Sequence, residues 1–228
     1  MSRPLFIVPE HEFEAQLGLP EPLPKGEALL WQGSPEWRTL AVHAFHVRKL
    51  AVYFAFILLL RTLFVLSEGG NVVELAISLA ILTPLAGISV GLMALMAWLT
   101  ARTSMYTITD QRIVMRIGIV LSVTFNLPFK SLDSVGLKRF TNGTGDLALT
   151  IGGNDHIAYL HLWPHARPWK FAKPEPMLRS IAEVATVANT LSQAMKAATG
   201  GVAITIKQTQ APAAEANGQQ RDGWATAA

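Results

Sequence analysis

Few residues in this chain have the types and spacing to do chemistry. His43 and His46 stand three apart, just ahead of a long hydrophobic run. Three residues is close to one helical turn, so both imidazoles would share a helical face and could hold a metal ion or the magnesium of a chlorin. Next to Arg48 and Lys49 they also read as polar residues at a membrane rim. His161 and His165 flank Pro164, which denies them a common regular helix. Gly87-Ile88-Ser89-Val90-Gly91 has the spacing of a serine nucleophile motif, but that motif needs a strand-to-helix turn in a soluble sheet. Here it falls inside an uncharged run. The same residues form G-x-x-x-G and, with Ala94, make a stripe of small residues that lets helix backbones approach closely. The packing partner could be the first hydrophobic run or another subunit. Asp110, Asp133, Asp146 and Asp155 fall at separate turns, with no pair arranged for acid–base work. There is no P-loop, dinucleotide fingerprint or metalloprotease helix, so no catalytic residue and no metal set is assigned and a non-enzymatic protein is expected.

The elements that must position these residues follow from composition. Half of the 228 residues are hydrophobic and only 15% are charged, against roughly a quarter in a soluble domain. Some surface therefore does not face water. Cysteine is absent, which excludes disulfides and thiolate-bound metals. A net charge of +3 fits orientation signals and lipid contact better than nucleic-acid binding.

The hydrophobic residues concentrate in two runs. Leu50 to Leu66, extended by flanking residues from Phe45, is broken only by Arg61, which sits near one end where it could snorkel. Leu75 to Leu99 is uncharged throughout, and Pro84 is expected to kink it. Roughly 17–25 apolar residues cross a bilayer as a helix. Spans of about 46–66 and 75–99, joined by the polar turn Ser67 to Asn71, predict an antiparallel transmembrane hairpin within residues 43–102. Arg38, Arg48, Lys49, Arg102 and Arg112 flank its outer ends, whereas Glu68 and Glu74 lie by the turn. The positive-inside rule then puts both termini in the cytoplasm. No cleavable signal is expected ahead of the first run: within the acid- and proline-rich N-terminal segment 1–42, Met1 to Leu30 lacks an apolar core.

Beyond Arg102 the pattern turns extended. Met105–Thr109, Arg112–Ile117, Leu121–Leu127, Leu132–Phe140, Asp146–Ile151 and Ile157–Leu162 predict short strands, separated by turns such as Thr141 to Gly145 and Gly152 to Asp155. Asn142-Gly143-Thr144 is formally a glycosylation sequon and reads better as a hairpin turn. From Pro176 to Ala198, apolar residues at Met177, Ile181, Val184, Ala188, Leu191 and Met195 predict an amphipathic helix that Gly200-Gly201 ends. Together these give a domain over 103–200, a small antiparallel sheet or barrel with a C-terminal helix. The Ala- and Gln-rich segment 201–228 reads as a disordered tail.

The order of parts carries a resemblance. A Gly26-Glu27-x-x-Leu30-Trp31-x-Gly33 segment, a hydrophobic hairpin, then Tyr106-x-Ile108-Thr109-x-x-Arg112 resembles the bacterial pleckstrin-homology group of membrane proteins. Trp31-Gln32-Gly33-Ser34-Pro35-Glu36-Trp37-Arg38 with Ala44-Phe45-His46-Val47-Arg48-Lys49 is similar to the PuhB photosynthetic complex assembly proteins of purple bacteria. The resemblance covers roughly residues 24 to 198. It implies a bent antiparallel, pleckstrin-homology-like sheet capped by a C-terminal helix. It also implies help in building the reaction centre and core light-harvesting antenna in the intracytoplasmic photosynthetic membrane, with a homodimer as one form. It brings no catalytic residues.

On that reading the expected partners are reaction-centre and core antenna polypeptides together with membrane lipid. The hairpin would hold client helices through Gly87, Ser89, Gly91 and Ala94. Trp31, Trp37, Trp163, Arg167, Trp169 and Lys170 are candidate contacts to client or membrane, since aromatic and arginine residues concentrate at interface hot spots. No cofactor is expected, with bacteriochlorophyll on His43 and His46 as the one exception the residues leave open. The alternative is a lipid-headgroup module without a client, although Arg112, Arg116, Lys130, Lys138 and Arg139 are spread out rather than clustered.

Overall fold

The computed structural model describes Leu19, residues 23–153 and 157–200, and the backbone of 206–208. Residues 154–156 and most of the segments 1–22 and 201–228 lie outside the described residues, so the turn expected at Asp155 and most of the expected tail are not addressed.

Two helices dominate the first half. Helix α2 (Val47–Ser67) and helix α3 (Val72–Thr103) are both long and apolar enough to cross a membrane, and only 6% of each apolar window is buried within the protein. Apolar residues ring both helices, so their outer faces show large side chains such as Phe56, Leu63, Ile81 and Ile88. Asn71 starts α3 by accepting a hydrogen bond from the Glu74 N–H at 2.9 Å. The helix then continues through Pro84. Ahead of them, the short helix α1 (Trp37–His43) begins at Glu36, whose carboxylate accepts from the N–H groups of Arg38 and Thr39 at 3.1 and 2.6 Å.

Among the described residues the rest is α+β with two four-stranded sheets. The first is a meander, β1 (Leu29–Gly33), β2 (Met105–Thr109), β3 (Arg112–Ile117) and β4 (Val123–Pro128), antiparallel throughout. The second has the order β7 (Met177–Ile181), β6 (Gly145–Ile151), β5 (Leu132–Arg139) and β8 (Ile206–Gln208), with β8 parallel to β5. Between the sheets lies one apolar core, including Tyr106, Ile113, Met115, Leu147 and Leu178. Helix α5 (Val184–Ala198) buries Val187, Leu191 and Met195 in the same core.

Five expectations change here. The strand expected at Ile157–Leu162 is the short helix α4 (Tyr159–Leu162), because the segment closes its hydrogen bonds on itself, from Trp163 N–H to the Tyr159 carbonyl at 3.0 Å. The helix expected from Pro176 starts only at Val184, and Met177–Ile181 is a strand paired with β6. A spacing of four between Met177 and Ile181 satisfies a two-residue period as well as a helical turn, and all five strand residues are buried. The strand expected from Leu121 starts at Val123, which leaves Leu121 in a loop. Within the segment read as a tail, Ile206–Gln208 pairs with β5. In addition β1, from the segment read as separate from the β domain, is an edge strand of its first sheet.

Candidate functional site

The helical hairpin and the β domain meet at a buried polar junction, and local chemistry dictates its form. One residue past α3, Ser104 is 1% exposed, and Tyr106 and His165 are both fully buried. The Tyr106 hydroxyl lies 2.7 Å from His165 Nδ1, and Ser104 Oγ lies 3.1 Å from Nε2. The Arg179 N–H donates to the same tyrosine oxygen at 3.2 Å. A hydroxyl proton given to Nδ1, with the neutral ring's hydrogen on Nε2 toward Ser104, is the tautomer that leaves the Tyr106 proton a partner while its oxygen accepts from Arg179. Burial holds His165 at about 3, with the Arg179 charge pushing the same way, and burial likewise raises the Tyr106 phenol. A serine beside a histidine has the look of a nucleophile and base. Here both are sealed from solvent, so the pair serves as a joint between α3, β2 and the chain before β7.

A second joint runs through α1. Its Leu40 and Ala41, with Phe45, pack on Ala97 and Ala101 of α3. On its other side Asn142 Nδ2 donates to Thr39 Oγ1 at 2.9 Å, the Glu36 N–H donates to the Ser180 carbonyl at 2.8 Å, and His43 stacks on Phe140 with ring centroids 3.9 Å apart. The Asn142-Gly143-Thr144 turn between β5 and β6 is thus a docking point for α1. Asp146, expected at a turn, is buried in β6, where it accepts the Ser180 N–H at 2.8 Å. Burial raises its carboxyl, with that hydrogen bond and Arg179 pulling it back.

The two sequence motifs that carried the resemblance meet in space. Arg112 donates to both carboxylate oxygens of Glu27, each at 2.8 Å, across 85 residues of chain. Burial alone would raise the Glu27 carboxyl, but hydrogen bonds from Arg112 and Thr109 and the Arg112 charge outweigh it and hold the group below the usual carboxylate range. Thr109 Oγ1 accepts the N–H groups of Gln111 and Arg112 and so shapes the β2–β3 turn. Gly33 keeps room for the Trp31 ring, which a Cβ there would approach to 2.5 Å.

The expected site residues disperse accordingly. Trp31 packs against the core, while Trp37 is 41% exposed with Arg38 over its ring. His43 ends α1 and His46 precedes α2 at φ +55, so the chain turns between them. They do not share a helical face. Burial lowers the His43 imidazole; the Asp146 charge opposes this, and Lys138 and His46 add to it. Gly87 and Gly91 have nothing within 4 Å of where a Cβ would stand, so α2 is not their packing partner. Ser89 Oγ donates within its own helix to the Leu85 carbonyl, and Ala94 is half-buried. Arg61 Nε donates to Ser78 Oγ at 2.7 Å, in a cleft of about 760 Å³ between α2 and α3 that Glu68 and Glu74 also line. Arg167 pairs with Glu175 at 2.6 Å, and Lys170 lies 3.9 Å from the same carboxylate. Trp163 sits edge-on to Phe45, and Trp169 is 86% exposed.

Comparison with known proteins decides the family. A model of the bacterial PH domain matches residues 51–195, more than half of the chain. The chain belongs to the bacterial PH domain family. This family member is 40% identical, over 82% of its own length and 88% of the other's, to an uncharacterized 23.7 kDa protein in the puhA 5′ region of Rhodobacter capsulatus. It shares 14% identity with a pleckstrin-homology-domain protein of Shewanella loihica, over 40% of this chain and 71% of that one, at a TM-score of 0.27. That likeness is too slight to bear on the fold. The junction residues were the part of this PH-family chain least open to sequence reasoning: Tyr106 and His165 lie 59 apart, and nothing local marks them as partners.

Proposed function

We propose that this bacterial PH-family protein is a membrane-anchored, non-enzymatic assembly factor for the photosynthetic reaction centre and its core antenna. The observation that carries the anchoring is the exposure of α2 and α3: apolar all round and only 6% buried, they need lipid and other helices to cover them. With the basic residues at the outer ends, the hairpin lies in the inner, intracytoplasmic photosynthetic membrane with both termini cytoplasmic. The β domain, with α5 closing one end of its sheets, then stands on the cytoplasmic face. The PuhB resemblance, and a relative named for its position beside puhA, support the photosynthetic client.

The open Gly87–Gly91 face suits a client helix, because nothing in this chain fills it. Binding of a lipid headgroup in a basic pocket is the weaker reading, because Arg112 is committed to Glu27 and Arg167 to Glu175. The test is recovery of reaction-centre and antenna polypeptides on the tagged protein, beside the double variant Gly87→Leu with Gly91→Leu. Reduced recovery with the variant is expected. Equal recovery at equal expression would remove the glycine face from the mechanism.

A further inference from the structure

We propose that the β3–β4 loop, residues 118–122, dips into the same bilayer as the hairpin and pins the β domain against it. This rests on the membrane reading above and adds a second contact to it. Ile119, Val120 and Leu121 are consecutive apolar residues, and Val120 and Leu121 are 90% and 82% exposed. A run of exposed apolar side chains at a loop tip is unfavourable in water unless something covers it. The loop stands off the core. Gly118 takes φ +122, where a Cβ would meet the Leu121 carbonyl oxygen, so a tight glycine-only bend holds the tip outward.

Position identifies the occupant. Helix α3 ends at Thr103 and β2 starts at Met105, which pairs with Arg116 near the end of β3. Strand β3 touches α3 and its Arg116 pairs with Met105, so the loop runs on from the level at which α3 delivers the chain. The opposite end of the same strands carries Asp110, tied to Ala28. At ~1.5 Å per residue, the 32 residues of α3 reach about 48 Å, enough to cross hydrocarbon and both headgroup layers. Thr103 then stands at the outer edge of the headgroups, and Arg102 over the Trp98 ring at 4.9 Å lies within them. The five-residue loop that joins the paired Ile117 and Val123 carries Val120 beyond the Met105–Arg116 pair, toward the boundary between headgroups and acyl chains.

An aromatic patch supports the same contact from a different stretch of chain. Leu160, Trp163, Trp169 and Phe171 are all more than half exposed, and Trp163 touches Phe45 just ahead of α2, where the first span enters. Exposed Arg116 and Lys170 flank the two patches and suit anionic headgroups. Hairpin, loop and aromatic patch are three points, and three points fix the tilt of the β domain.

The absence of cysteine makes the test direct. Val120→Cys, Leu59→Cys in α2 and Lys130→Cys at the far end of the sheet are each spin-labelled in the full chain, in vesicles of zwitterionic and anionic phospholipid. Accessibility to oxygen and to a water-soluble nickel chelate is then compared. The expected result is a label at 120 that favours oxygen several-fold over the one at 130, as the label at 59 does. A label at 120 that behaves like the one at 130, while 59 favours oxygen, overturns the proposal and leaves the hairpin in the membrane. A label at 59 that prefers the nickel chelate overturns the membrane reading itself. Shielding of 120 from both reagents only when reaction-centre polypeptides are added assigns the loop to a protein partner and likewise overturns the proposal.

Discussion

Replacing Arg112 with alanine would strip the Glu27 carboxylate of its partner where its side chain is only 3% exposed. Two hydrogen bonds at 2.8 Å are lost, and bonds to charged groups contribute about 1.5–3 kcal/mol each. Arg112 is itself 25% exposed, so water takes up part of the loss and the lower end applies, about 2–3 kcal/mol in all. The assay is denaturant unfolding of the full chain in detergent, followed by tryptophan fluorescence. Glu27→Gln, which keeps the shape and one acceptor, should cost less than Arg112→Ala. In the double variant the losses should not add, since neither residue then leaves a buried charge unpaired. An Arg112→Ala loss below about 0.5 kcal/mol, or a double variant equal to the sum, would refute the claim that this pair ties β1 to the β2–β3 turn.

Two further perturbations probe the joints. His165 is neutral when folded, at about 3, and titrates near 6.5 when unfolded, so the unfolded chain binds the extra proton between those values and stability falls as pH drops below 6.5. Between pH 6.5 and 5 that loss is about 1.6 kcal/mol, since the slope reaches roughly 1.4 kcal/mol per unit only once the unfolded imidazole is fully charged, and His165→Gln should flatten the slope in the same unfolding assay. Glu27 and Glu36, held low, add their share only further toward acid, and Asp146, held high, acts with the opposite sign. Asn142→Ala removes the bond to Thr39 and the acceptor for Thr144, for an expected loss of about 1–2 kcal/mol by denaturant titration. Thr39→Val should cost less, because Asn142 keeps its bonds to Thr144.

What the sequence made legible is what periodicity encodes. Both long helices, the β2–β3 hairpin and the Asn142 turn stand close to where their patterns put them, because hydropathy and turn chemistry act locally. Met177–Ile181 was not legible, since a spacing of four suits a helix and a strand alike. Nor was the place of β1, whose pairing partner lies beyond the whole hairpin. The candidate site fared less well for the same reason. His43 and His46 are three apart in sequence, yet a left-handed residue at His46 separates their faces. The glycine stripe was visible as a stripe, but which way it faces depends on where α2 settles, and that is a property of packing.

The most direct test of the assembly role is purification of the tagged protein from mildly solubilised photosynthetic membranes, with mass spectrometry and an absorption spectrum of the eluate. Enrichment of reaction-centre or antenna polypeptides over a tagged, unrelated membrane protein is the predicted result, with no bacteriochlorophyll bound in proportion to His43 and His46. An eluate of this protein and lipid alone would contradict the account and leave a lipid-binding anchor in its place.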